Sequence, residues 1–119
     1  MLAKNVVDAA YRVHKALGPG LLESVYEVCL GHELRQRGLS VATQVALPVV
    51  YDGTTLDAGL RLDMFVADCL VVEVKSVETM NPVFKAQLLT YLKLSGRRLG
   101  LLINFNVPII KNGIKRVVL

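Results

Sequence analysis

Residues Arg61 to Lys75 read RLDMFVADCLVVEVK, and the pattern of this stretch decides the fold. Apolar and polar positions alternate on each arm, the period-two signature of a strand with one face buried. Leu60, Leu62, Met64 and Val66 fall on one side of the first arm, with Arg61, Asp63 and Phe65 on the other. The second arm sets Val72 and Val74 against Val71, Glu73 and Lys75. With Ala67, Asp68 and Cys69 as the connection, a symmetric hairpin brings Asp63 opposite Glu73. Two carboxylates and an ammonium then share one sheet face.

Neighbouring carboxylates repel and raise the proton affinity of at least one of them unless a cation compensates. Lys75 compensates in part. A hard divalent ion does so better, because Mg²⁺ is held by one or two carboxylates, with waters and substrate phosphates in its remaining positions. Asp63, Glu73 and the Val74 carbonyl are the candidate ligands, with Glu23 reaching the ion through a water. Such an ion polarises a phosphodiester and lowers the pKa of a bound water, while Lys75 orients that water or neutralises phosphate charge. The plain alternative is a salt-bridged sheet surface.

Upstream, Thr43 to Val50 is rich in strand formers, with Pro48 marking an edge or irregular strand. Asp52-Gly53 signals a hairpin turn, so residues 43–75 read as a three- or four-strand antiparallel meander. Before it, residues 21–39 form a helix ending near Gly38, with Leu22, Val25, Tyr26, Cys29, Leu30 and Leu34 as its buried stripe. Glu23 lies in its first turn, where an acid stabilises the helix dipole whether or not it does anything else. Residues 2–17 are a first helix with Val6, Ala9, Ala10, Val13 and Leu17 inward, stopped by Gly18-Pro19-Gly20. His14 reads as solvated or locally hydrogen-bonded, and His32 as an isolated histidine.

Downstream, Asn81 and Pro82 open a helix that Gly96 closes, with Val83, Ala86, Leu89 and Leu92 or Tyr91 as its core stripe. Gln87 and Tyr91 are four apart on one face of it. If that face meets the carboxylates, Gln87 positions a water or a phosphate and Tyr91 adds a hydrogen bond. Otherwise they are a surface amide and a core-edge ring. The run LGLLINF then reads as a strand buried on both faces, making a β–α–β unit with the second arm of the hairpin. A turn at Asn112-Gly113 precedes a last short strand.

The 119 residues fit a single domain over 1–119, and 53% apolar content argues against disorder. No apolar run approaches the ~18 residues of a bilayer span, and the N-terminus lacks a signal-like segment, so the expectation is a cytoplasmic protein with no membrane partner. Cys29 and Cys69 show no zinc-ligand spacing and are expected in a reduced, packed interior. A formal charge of +4 suits a phosphate-bearing partner without requiring one.

These features together resemble the PD-(D/E)XK nuclease superfamily, and within it the GxxExxY protein family. The naming motif stands here as Gly20-Leu21-Leu22-Glu23-Ser24-Val25-Tyr26. The superfamily's aspartate falls on Asp63, its acid-x-lysine on Glu73-Val74-Lys75, and its helical glutamine with a following tyrosine on Gln87 and Tyr91. The LGLLINFNVP and NGIKR segments look like this family as well, so the likeness covers nearly the whole chain. It implies an α/β (α+β) restriction-endonuclease-like core, a mixed central sheet with flanking helices. It also moves Glu23 from a dipole-stabilising residue to a site member, makes Gly20 the turn that positions it, and places Tyr26 beneath the site.

The resulting expectation is a Mg²⁺- or Mn²⁺-dependent nuclease acting on DNA, with Glu23, Asp63, Glu73, Lys75, Gln87 and Tyr91 in its site. A homodimer or protein partner would extend the contact area of so small a chain. The competing expectation is a noncatalytic nucleic-acid- or protein-binding module, motivated by Arg97, Arg98, Lys111, Lys115 and Arg116. RNA is a further candidate substrate, because the motif reads phosphate and not sugar or base.

Overall fold

The computed structural model describes residues 1–119. Two helices, α1 (Leu2–Leu17) and α2 (Glu23–Gln36), come first. Strands β1 (Val41–Ala46), β2 (Val49–Tyr51), β3 (Thr54–Leu56), β4 (Arg61–Val66) and β5 (Leu70–Lys75) follow. Helix α3 (Pro82–Ser95) crosses to β6 (Leu99–Asn104), and a 3₁₀ turn, Ile110–Gly113, leads into β7 (Ile114–Val118). Five strands form one sheet in the order β1-β4-β5-β6-β7. Only β5 and β6 run parallel, which is why a helix must connect them. The architecture is a mixed sheet with flanking helices, as expected.

Two cores sandwich the sheet. On one face Val6, Ala10, Tyr26, Leu30 and Leu34 of α1 and α2 pack on Met64, Val72, Val74 and Ile103. On the other, Leu88, Tyr91 and Leu92 of α3 pack on Val71, Leu102 and Val117. Leu62 joins this second group and not the face shared by Met64 and Val66, contrary to simple alternation. Strand β4 changes face between them, at Asp63.

The meander is corrected in one respect. Strand β1 pairs directly with β4, while β2 and β3 form a separate two-stranded hairpin between them. Pro48 has no N–H to donate, so the strand read over 43–50 breaks there; Leu47 makes the last bond, to the Leu60 carbonyl at 2.9 Å. Asp52 and Gly53 both take positive φ, 53° and 72°, as a tight Asp-Gly hairpin turn requires.

Helix α3 starts and stops where the sequence places it, with the Asn81 side chain accepting from the Val83 N–H and Gly96 in the left-handed conformation. Its stripe is corrected: Val83 and Ala86 are exposed, and Leu88, Tyr91 and Leu92 carry the burial. Similarly Leu22, just before α2, and Val25 within it are exposed, and the helix's buried set is Tyr26, Leu30, Gly31 and Leu34. His14 is buried, with Nε2 2.8 Å from the Val107 carbonyl oxygen. Cys69 is exposed in the β4–β5 turn, and Cys29 is half-buried. Residues 110–113 are a 3₁₀ turn, and a Cβ on Gly113 would meet the Asn104 carbonyl oxygen, so only glycine fits.

No helix is long and apolar enough to cross a membrane.

Candidate active site

The β4–β5 ladder is regular through Val66↔Leu70, Phe65↔Val71 and Met64↔Val72, and this register sets Asp63 against Glu73. Beyond that point side chains replace backbone in the pairing. The Asp63 N–H donates to Glu73 Oε2 at 2.8 Å, and the Val74 N–H donates to Asp63 Oδ2 at 2.9 Å. Each carboxylate is thus clamped by one oxygen to the opposite strand. Glu73 Oε1 accepts no hydrogen bond from the protein, while the Gln44 side chain adds its pull to that of the Val74 N–H on the Asp63 carboxylate.

Burial sets the electrostatics. Glu73 is only 5% exposed. Desolvation, followed by the charge of Asp63, pushes its pKa up to about 8 against the pull of the Asp63 N–H and Lys75. Desolvation also raises the pKa of Asp63, opposed by the Val74 N–H and by Lys75. Lys75 does not bond either acid; its Nζ lies 4.6 Å from the centroid of the Phe84 ring on α3, in a cation–π contact.

The motif at the start of α2 gains a physical account. Tyr26 is fully buried and stacks on Phe105, with ring centroids 4.6 Å apart. Its hydroxyl donates to the Gly18 carbonyl at 2.6 Å and accepts from the Leu21 N–H at 3.1 Å, so it closes the Gly18–Leu21 loop. Gly20 has φ 96° within that loop, which a glycine tolerates. Ser76 Oγ donates to the Leu21 carbonyl at 2.6 Å, tying the loop to the end of β5. Glu23 is therefore delivered to the carboxylate end of the sheet. Its pKa is raised by desolvation and by Asp63, and lowered by Lys75.

Tyr91 is buried on α3, and the charges of Glu73 and Asp63 add to its burial in raising its phenol pKa. Gln87 is exposed and forms no hydrogen bond to the acids. The α3 face meets the site through Tyr91, beside the acids, and Phe84, against Lys75, while Gln87 stands outside.

Three residues escaped the sequence reading. Glu27, one turn beyond Glu23, has its pKa raised by burial and by both Asp63 and Glu23. Its spacing from Glu23 was the available signal. Gln44 lies between Thr43↔Met64 and Val45↔Leu62, hence opposite Asp63, and its φ of 51° is left-handed in the middle of a strand. Its amide donates to both oxygens of Glu27, at 3.0 and 3.2 Å. Nothing in the alternation pattern marks it.

Asn104 is the third. It is 1% exposed and pairs with Lys75 in the parallel ladder. Its Oδ1 accepts from Val77 and Asn106 N–H groups at 3.1 Å, and its Nδ2 donates to the Val77 carbonyl at 2.9 Å. It brackets the chain that leaves β5 just after Lys75.

Nowhere do three or more His, Cys, Asp or Glu side chains converge closely enough to enclose a metal ion between them. The donor set is a pair of carboxylates and not a cage. That pair fits an oxygen-seeking cation, since a buried and a half-buried acid stand side by side and Glu73 Oε1 is free of protein donors.

Compared with curated proteins and with solved structures, the chain finds no significant match. A family model described as PD-(D/E)XK nuclease superfamily matches residues 1–117. With the Asp63 and Glu73-Val74-Lys75 positions on adjacent strands of a mixed, helix-flanked sheet, the chain belongs to the PD-(D/E)XK nuclease superfamily.

Proposed function

We propose that the protein is a divalent-metal-dependent nuclease that hydrolyses DNA phosphodiester bonds. The observation that carries this reading is the reciprocal clamp of Asp63 and Glu73, which sets a half-buried and a buried acid side by side with no arginine to neutralise them. Mg²⁺ or Mn²⁺ held by Asp63, Glu73 and the Val74 carbonyl supplies Lewis-acid chemistry that activates water and offsets phosphate charge.

The chain's own residues do the rest. The strand-to-strand clamp fixes the two acids before substrate arrives, so little reorganisation is needed at the moment of reaction. Lys75, held over Phe84, presents its ammonium to phosphate oxygens on the α3 side of the sheet. Glu23 and Glu27 orient water around the pair, Glu27 being fixed by Gln44. Tyr91 stands beside the acids, and Gln87 on the exposed side of α3 contacts the incoming strand or its water.

The test is cleavage of a panel of single-stranded, duplex and flapped DNA with Mg²⁺ or Mn²⁺, comparing wild type with Glu73→Ala. Wild type should cleave and a chelator should stop it, with Glu73→Ala slower by about a hundredfold or more. Cleavage unchanged in Glu73→Ala would overturn the assignment. Salt-sensitive DNA binding without any hydrolysis would replace it with a noncatalytic binding module.

A further inference from the structure

A groove of about 860 Å³ opens beside the C-terminal half of α1. Its walls are Tyr11, Arg12 and Lys15 of α1, Arg37 at the end of α2, and Pro108 and Ile109 of the loop after β6. Of the nine residues lining it, none is a carboxylate. An ordinary exposed helix intersperses both signs of charge. Here the acid of α1, Asp8, is taken by Lys4 at 2.8 Å, leaving the groove cationic.

Of these cations Arg37 is held in place by hydrogen bonds, and Arg12, largely exposed, is ion-paired with the same acid. Glu33, which does not line the groove, accepts from Arg37 Nε at 3.0 Å and pairs with Arg12 Nε at 3.4 Å. Arg37 Nη1 also donates to Asn5 Oδ1 at 2.9 Å. The terminal nitrogens of Arg12 and Nη2 of Arg37 stay without protein acceptors, which suits them to phosphate oxygens. Lys15 has no ion-pair partner. Beside these cations Tyr11 is 41% exposed and Ile109 60% exposed, a flat ring and an apolar wall in contact with water.

The groove is joined to the acidic site by its own wall. The loop carrying Pro108 and Ile109 starts at Phe105, whose N–H donates to the Lys75 carbonyl at 2.9 Å. Two residues on, the Val107 carbonyl contacts His14, between Arg12 and Lys15. The loop that walls the groove therefore leaves β6 at the same strand end that carries Lys75.

We propose that this groove is a track for single-stranded nucleic acid, with phosphates on Arg12, Lys15 and Arg37 and a base stacked on Tyr11. Cations combined with an exposed aromatic face are what an unpaired strand recognises, whereas a duplex keeps its base faces hidden. The strand's course onward to Lys75 rests on the nuclease reading; its binding does not.

The experiment is fluorescence anisotropy of a short fluorescein-labelled single-stranded DNA in EDTA over a salt series, with folding checked by thermal melting. Arg12→Gln/Lys15→Gln should weaken binding about tenfold or more and reduce the log–log salt slope by about 1.4, since each single-strand phosphate contact contributes about 0.7. Tyr11→Ala should weaken it about fivefold or more, and Tyr11→Phe should restore it, because stacking uses the ring face. Lys93→Gln, in the last turn of α3 on the other face of the sheet, should change it less than about twofold. The proposal is overturned if wild type does not bind, if Arg12→Gln/Lys15→Gln binds as wild type, or if Lys93→Gln loses as much. Failure of the nuclease reading looks different: the strand binds in the groove and is never cut when Mg²⁺ or Mn²⁺ is supplied.

Discussion

The β4–β5 hairpin carries acids at both ends and treats them in opposite ways. At its turn, Asp68 is exposed and faces Arg97 at 3.5 Å, and that guanidinium also lies 5.1 Å from the Phe65 ring. At its open end, Asp63 and Glu73 are drawn into the sheet, clamped by backbone N–H groups and given no arginine. The nearby cation, Lys75, rests on Phe84 instead. A charge that serves only the fold is neutralised and left in water. The pair at the open end is desolvated and only partly compensated by Lys75, an arrangement that favours an external cation over either acid's ionised form alone.

The sharpest way to break this contrast is to neutralise one acid at each end. Asp63→Asn should lower metal-dependent cleavage about a hundredfold or more, whereas Asp68→Asn should leave it within about twofold. Equal losses would show that the two ends do not differ in kind.

Proton linkage separates the ends next. Glu73 keeps its proton to about 8 in the fold, against an ordinary value of 4.5, so the folded chain binds more protons than the unfolded one between those values. Its contribution to stability is complete below the ordinary value and lost as pH rises through about 8. Melting of metal-free wild type should therefore fall over this window, and the fall should flatten in Glu73→Gln. The burial-raised pKa values of Asp63 and Glu23 work in the same direction.

The open end also needs scaffolding that the turn does not. Asn104→Ala removes three hydrogen bonds to a buried bracket and should cost about 2–3 kcal/mol in denaturant unfolding. Left-handed backbone tests the contrast more gently. Gln44→Gly relieves a φ of 51° but releases Glu27, so stability should hold or rise slightly while cleavage falls about tenfold. Smallest of all, Arg97→Gln should change stability by no more than about 0.5 kcal/mol, because its ion pair is solvated.

What the sequence disclosed follows from the same contrast. Alternation in RLDMFVADCLVVEVK was enough to set Asp63 opposite Glu73, because a period-two pattern and a symmetric turn leave a single register. Caps and glycines likewise gave α3 its ends. The stripes of α2 and α3 were harder to read, since an apolar residue such as Val83 or Leu22 satisfies the helical period whether or not a neighbour covers it. Pro48 signalled an irregular strand, but the departure of β2 and β3 into their own hairpin depends on β1 finding β4 across the insertion. Gln44 was invisible because its role lies in a backbone angle and a tertiary contact with Glu27. Asn104 read as an interruption of an apolar run, and only the parallel pairing with Lys75 shows what it holds.

The most direct test of the open end is a titration of Mn²⁺ into metal-free wild type and Glu73→Gln at neutral pH, followed by electron paramagnetic resonance and by proton release. The account predicts that wild type takes up a Mn²⁺ ion and gives up a proton as Glu73 ionises, and that Glu73→Gln binds at least about tenfold more weakly. Equal Mn²⁺ binding by the two proteins, or binding by wild type with no proton released, would contradict it.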